Sequence, residues 1–141
     1  MDLTALKTEL TTDPAGLGYA AHLTTGSYSP IVDLLAASRA GFSVFRGVIP
    51  AYEVINATVP AEWAALTAAE KQRYQTLTGA GQVDVSNANV RAAFAAMFAA
   101  GTATRDALAA LASRPGSRAE QLLGAGVTVS ADDVARALRE G

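Results

Sequence analysis

The residue types that ordinarily carry chemistry are sparse in this chain, and their spacing limits what they can do. His22 is the single histidine and there is no cysteine. The nitrogen- and sulfur-rich ligand sets that hold zinc are therefore excluded. A site made of oxygen ligands needs clustered carboxylates. Asp132–Asp133 is the only adjacent acidic pair, and its place in a first helical turn is accounted for by the helix dipole. Three oxygen ligands at EF-hand spacing are absent. A nucleophilic serine needs a base and an orienting acid. His22 could be the base, but no Gly-x-Ser-x-Gly elbow accompanies it. No spacing selects two carboxylates for glycosidic cleavage. Trp63 and Tyr74 could stack on a ligand, but core or interface aromatics is the plainer reading. Arg114 and Arg118 flank Pro115-Gly116-Ser117 and could grip an anion; a solvated helix entrance is the plainer reading. The expectation is a protein that is not an enzyme, with no catalytic residues, no metal, no cofactor and no small-molecule substrate.

The glycines raise a different question. "GAGQVDVSNANVRAAF" (Gly79–Phe94) and "GAGVTVSADDVARAL" (Gly124–Leu138) are nearly one phrase used twice. A phosphate-cradling loop wants a strand, then glycines, then a helix start, usually with lysine. Here the glycines follow a helical pattern and no lysine is near. The phrase reads instead as a helical corner. The first glycine, Gly79 or Gly124, is expected to end a helix in the left-handed region. A Val-x-Val piece turns both valines to one side. A serine, Ser86 or Ser130, is expected to cap the next helix. The repeated unit, helix–GAG–extended–Ser-capped helix, covers about 70–98 and 115–139. Duplication and convergence explain it equally well.

These corners punctuate a helical chain. Leu3, Leu6 and Leu10 recur at helical spacing behind Asp2, a candidate N-cap. Asp13 and Pro14 break that helix. Ser29 and Pro30 read as cap and first residue of a helix that buries Ile31, Leu34 and Leu35. Phe42–Ile49 suits two short strands, with a small β-hairpin near residues 42–49 as the simplest pairing. Pro50 and Pro60 suit helix starts. Thr67 with Glu70 and Ser117 with Glu120 have capping-box spacing, and Ser130 with Asp133 a weaker version of it. Val90, Phe94, Met97 and Phe98 form the strongest apolar stripe. The expected fold class is mainly α: a single helical domain over 1–141, of about six to eight short helices.

Composition agrees with that class. Half of the 141 residues are hydrophobic and 17% charged, as in globular proteins. Formal net charge is −2, and Met1–Glu62 holds three basic residues (Lys7, Arg39, Arg46) against six acidic ones. Neither half is a basic patch, so nucleic acid is not an expected partner. The N-terminus is charged and amphipathic, unlike a signal peptide. The longest apolar run, Ala92–Ala100, is too short to span a bilayer, so no membrane insertion is expected.

Three stretches carry a resemblance. "LKTELTTDPAGLGYA" (Leu6–Ala20), "GTATRDALAAL" (Gly101–Leu111) and "SRAEQLLGAGVTVSADDVARAL" (Ser117–Leu138) resemble small proteins encoded among the virion genes of tailed bacteriophages. The resemblance covers both ends and much of the second half, and is weak over Ser27–Ala57. It implies a structural role in the virion, as a head–tail connector or tail-associated subunit. It also implies assembly with copies of itself and with other virion proteins, inside the host cytoplasm. It carries no catalytic residue. The alternative is a small phage or bacterial regulatory protein that binds and blocks a partner. In either case the surface matters more than any cleft. Phe42, Phe45, Val48 and Tyr52 are the candidate interface residues, because their spacing suits neither a clean helix nor a clean strand.

Overall fold

The structure is a computed structural model and describes Met1–Glu140. Helices α1 (Leu3–Thr12), α2 (Tyr19–Thr25) and α3 (Ser29–Ala36) come first, followed by strands β1 (Ser38–Phe45) and β2 (Val48–Pro50). Then follow α4 (Ala51–Ala57), α5 (Pro60–Ala64), α6 (Ala68–Thr78), β3 (Gln82–Asp84), α7 (Ala88–Met97) and α8 (Ala103–Ala112). The chain closes with β4 (Ser113–Ser117), α9 (Arg118–Leu123) and α10 (Ala131–Glu140). The chain is 60% helical, which makes it mainly α. Among the described residues ten helical segments form, eight of them of seven residues or more, in keeping with the six to eight expected; α5 and α9 are shorter.

The extended residues near 42–49 do form strands, but not a hairpin. β1 pairs with β4, and β2 pairs antiparallel with β3 in the register Val48↔Asp84, Ile49↔Val83, Pro50↔Gln82. A two-residue hairpin needs positive φ in its loop. Neither Arg46 nor Gly47, which join β1 to β2, has positive φ. Both strands therefore find partners far along the chain.

By internal contacts the chain divides into two compact units, each with its own apolar cluster. Unit 1 is built from Met1–Ser43 and from Pro115 onward, and unit 2 is Val44–Arg114. In unit 1, α1 packs against α2, α9 and α10, and α3 against α9 and α10. Leu6, Leu10, Tyr19, Ile31, Leu35 and Val134 are buried there. Asp2 caps α1 by accepting from the Ala5 N–H at 2.9 Å. Asp13 ends it at φ 43, and its carboxylate collects the Leu17 and Gly18 N–H groups at 2.8 Å each. Burial works against that charge, but the backbone donors outweigh it and hold the Asp13 pKa below its usual value. Ser29 is not the cap of α3: it is already helical, Tyr28 precedes it, and no side chain caps that end. Pro30 lacks an N–H to cap, so the helix needs less there.

In unit 2, α4 packs on α6 and α8, and α7 on α6 and α8. Ile49, Val54, Tyr74, Val83, Phe94 and Phe98 belong to one buried cluster. The Tyr74 ring meets Phe94 and Phe98 edge-on at 6.1 and 6.4 Å, the geometry that ring quadrupoles favour.

Each unit holds one copy of the repeated phrase, and the structure corrects how it works. Gly79 ends α6 in a right-handed conformation (φ −67, ψ −18), whereas Gly124 ends α9 at a positive φ of 115 that favours glycine, with ψ 155. The second glycine of each phrase is left-handed, Gly81 at φ 82 and Gly126 at φ 79. Ser86 is not a cap either. Its side chain bonds Asp84, and Asn87 caps α7 by accepting from the Asn89 and Val90 N–H groups. Ser130 does cap: its Oγ accepts from the Asp133 N–H at 3.2 Å, and Asp133 returns the bond to the Ser130 N–H. The first Val-x-Val piece is strand β3 and its end, with Val83 and Val85 buried. In the second copy Val129 is buried and Val127 half-buried, with no strand assigned.

Candidate functional surface of the second unit

Three of the four candidate interface residues lie in unit 2, and all three are exposed: Phe45 (51%), Val48 (59%) and Tyr52 (63%). Ile55 joins them at 52%. It is three residues after Tyr52, so the two share a face of α4. Phe42 belongs to unit 1 and is half-buried. Local geometry explains the display. In β2, Ile49 points to the core while its neighbours Val48 and Pro50 point out, as strand alternation requires. In α4, Ala51 and Val54 face inward and leave Tyr52 and Ile55 outside.

Phe45 also lines a cleft of about 220 Å³ in unit 2. Val54, Val85, Phe94 and Leu108 supply apolar wall, and Phe45 belongs to its rim. Two arginines also line it. The Arg91 guanidinium lies 3.6 Å from the Phe45 ring centroid, a cation–π stack. Its Nη1 donates to the Val85 and Ser86 carbonyls at 2.9 and 2.7 Å. Arg105 Nη1 donates to the Ala95 and Phe98 carbonyls at 3.0 and 3.1 Å. These are end-of-helix carbonyls of α7, which a cation suits. Neither arginine has a carboxylate partner among the described residues. Arg46, by contrast, pairs with Glu53 at 3.2 Å. The arrangement can accept an apolar group and, beside it, an anion.

The other chemistry-bearing residues are accounted for structurally. Glu9 is buried in unit 1 and takes Arg118 in two bonds, Nε to Oε1 and Nη2 to Oε2, both 2.7 Å. The Tyr19 hydroxyl adds a third bond at 3.0 Å. The Arg118 bonds outweigh burial and lower the Glu9 pKa, while burial and Glu9 raise that of Tyr19. Arg118 thus holds an internal anion rather than an external one. His22 is half-buried in the last turn of α2. Tyr74 is a core residue whose hydroxyl bonds Thr58 Oγ1 at 2.8 Å. Trp63 packs partly buried against the same core, with Lys71 Nζ 4.9 Å above its ring. Asp133 is held ionised by the Ser130 cap, first its N–H and then its hydroxyl. No group of three or more His, Asp or Glu among the described residues could hold a metal ion, and no described helix is long and apolar enough to cross a membrane.

Arg91 and Arg105 were not singled out by sequence, because each is an isolated arginine on an alanine-rich helix. The one usable signal is weak: both helices lack acidic residues at i±4 to these arginines. The chain matches no protein-family model, no curated protein and no solved structure.

Proposed function

We propose that this chain is a structural protein of a tailed-bacteriophage virion, a connector or tail-associated subunit that works by protein–protein assembly. The observation that carries the reading is the strip of large apolar side chains Phe45, Val48, Tyr52 and Ile55 on unit 2, each more than half exposed. Single exposed apolar residues are ordinary, but four within eleven positions mark a surface that gains from being covered. The resemblance of both chain ends to virion-encoded proteins supplies the setting. In this reading the chain acts as a homo-oligomer that also contacts other virion proteins, and its place is the particle.

The test has two parts. Mass spectrometry of purified particles should find the chain at stoichiometric copy number, and the purified protein should show a mass above that of a monomer. Tyr52→Ser with Ile55→Ser should reduce that mass or block incorporation. A chain absent from particles and bound to a host protein would replace this reading with that of a regulator that blocks its partner.

A further inference from the structure

We propose that the unit 2 cleft is a docking socket for an acidic segment of a partner protein, one that seats a large apolar side chain between Val54, Phe94 and Leu108 and places a carboxylate on Arg91 and Arg105. This rests on the assembly reading and specifies the chemistry of the contact.

Charge complementarity identifies the occupant. Both arginines line the cleft and are half-buried, where an unpaired cation is costly unless hydrogen bonds or an anion offset it. Each spends only Nη1 on carbonyls, so Nε and Nη2 remain as donors. A carboxylate is the group that two such donors fit, through paired parallel bonds. The cleft floor is apolar, so the same ligand must carry a hydrophobic anchor.

Size and surroundings distinguish a polypeptide from a metabolite. At about 220 Å³ the cleft lies below the roughly 300–1,000 Å³ of drug-sized ligand sites. It suits one side chain. A ligand confined to it would leave the exposed Val48, Tyr52 and Ile55 bare, whereas a polypeptide segment is long enough to cover Phe45, which both lines the cleft and is exposed, and to extend beyond it. One anchored side chain in a pocket, ringed by weaker apolar contacts, is how interfaces concentrate their affinity.

The experiment selects binders to the purified full-length chain from a displayed library of random dodecapeptides, then measures the affinity of the enriched peptides. The expected consensus places Leu, Phe or Trp within two residues of Asp or Glu. Arg105→Gln and Arg91→Gln should each weaken binding at least tenfold, with a reduced dependence on salt. Because Arg105 also holds α7, Ala109→Phe provides a second check. Ala109 is exposed and lines the cleft, so the larger side chain should plug it without removing a cation, and binding should again fall at least tenfold. No enrichment, a consensus without acidic residues, or peptides indifferent to all three variants would overturn the proposal. So would octanoate binding as tightly as the peptides, which would make this a small-ligand site, or self-association that Ala109→Phe abolishes, which would make a second copy the occupant. Finding the chain in particles while these peptides fail would sink the socket and leave the assembly reading standing; binding peptides while absent from particles would do the reverse.

Discussion

Two buried polar residues are held by more bonds than they need for packing, and each has a measurable consequence. Glu9 is the clearer. Its charge is stabilised in the folded state by Arg118, so its pKa is lowered from 4.5. A lowered carboxylate contributes stability that is complete above its unfolded value and is lost as pH falls through the folded one. Glu9→Ala leaves a largely buried guanidinium (15% exposed) without its partner, which costs about 3–5 kcal/mol. Urea unfolding at pH 7 should show that loss. The gap between parent and variant should narrow as pH falls below about 4. A variant as stable as the parent at pH 7 would show the pair to be dispensable. Thr104 is the second case, fully buried in unit 2. Its Oγ1 accepts from the Val59 N–H at 2.9 Å and donates to Glu62 Oε1. Glu62 also accepts the Ala103 and Thr104 N–H groups at the start of α8. Thr104→Val keeps the shape and removes the hydroxyl, stranding the Val59 N–H. It should cost about 1–3 kcal/mol in chemical denaturation, with Thr104→Ser retaining most of the stability.

At the level of helices and corners, what could be read from the sequence was what is settled within four residues. The capping boxes Thr67/Glu70 and Ser117/Glu120 both form with reciprocal bonds, and Ser117→Ala should cost about 1 kcal/mol in thermal or urea melts. Of the stripe Val90, Phe94, Met97 and Phe98, the last three are buried as its period requires and Val90 is half-buried against the same cluster. The glycine phrase was legible as a corner but not in its mechanics, because sequence does not say which of two glycines takes the left-handed turn. The two substitutions that separate these roles differ in cause. Gly126→Ala meets no neighbour within 4 Å, and its cost is the left-handed φ alone, about 1–2 kcal/mol. Gly79→Ala has an ordinary φ, but its Cβ would lie 2.7 Å from the Gln75 carbonyl oxygen. That backbone atom cannot swing away, so the end of α6 must shift. If Gly126→Ala melts at the parent's temperature, the left-handed assignment fails. Strand partners were beyond local reading for the same reason: Ile49 and Val83 are 34 positions apart, and only packing brings them together. The arginine-lined cleft was invisible on similar grounds, since it is made of residues from four elements and the turn after β3 that carry no shared motif.

The whole molecule turns on chain topology. Unit 2 is one continuous segment, whereas unit 1 is assembled from both ends of the chain. Unit 2 is thus an insertion between Ser43 and Pro115. Its own ends lie close together, since the Arg46 N–H donates to the Ala112 carbonyl at 2.8 Å; nearby termini are what an inserted unit needs. The apolar cluster of each unit consists of residues of that unit alone. Each core is small, and domains of this size are only marginally stable. The prediction is that residues 44–114, expressed alone, fold to a helical state with a cooperative melt. Residues 1–43 joined to 115–141 through a short Gly-Ser linker should fold as well. In the full chain, Leu10→Ala should destabilise the first unit and Phe98→Ala the second, by about 2–5 and 3–5 kcal/mol. Hydrogen exchange would read the two separately, with protection falling mainly in the unit that carries the substitution. If both fragments are unfolded, and either substitution lowers protection equally across both units, then the two clusters behave as one cooperative core. The exposed strip and the cleft would then belong to a scaffold that exists only in the intact chain. If the fragment 44–114 folds, it carries Phe45, Val48, Tyr52, Ile55 and both arginines with it, and should bind the same acidic peptides as the full chain.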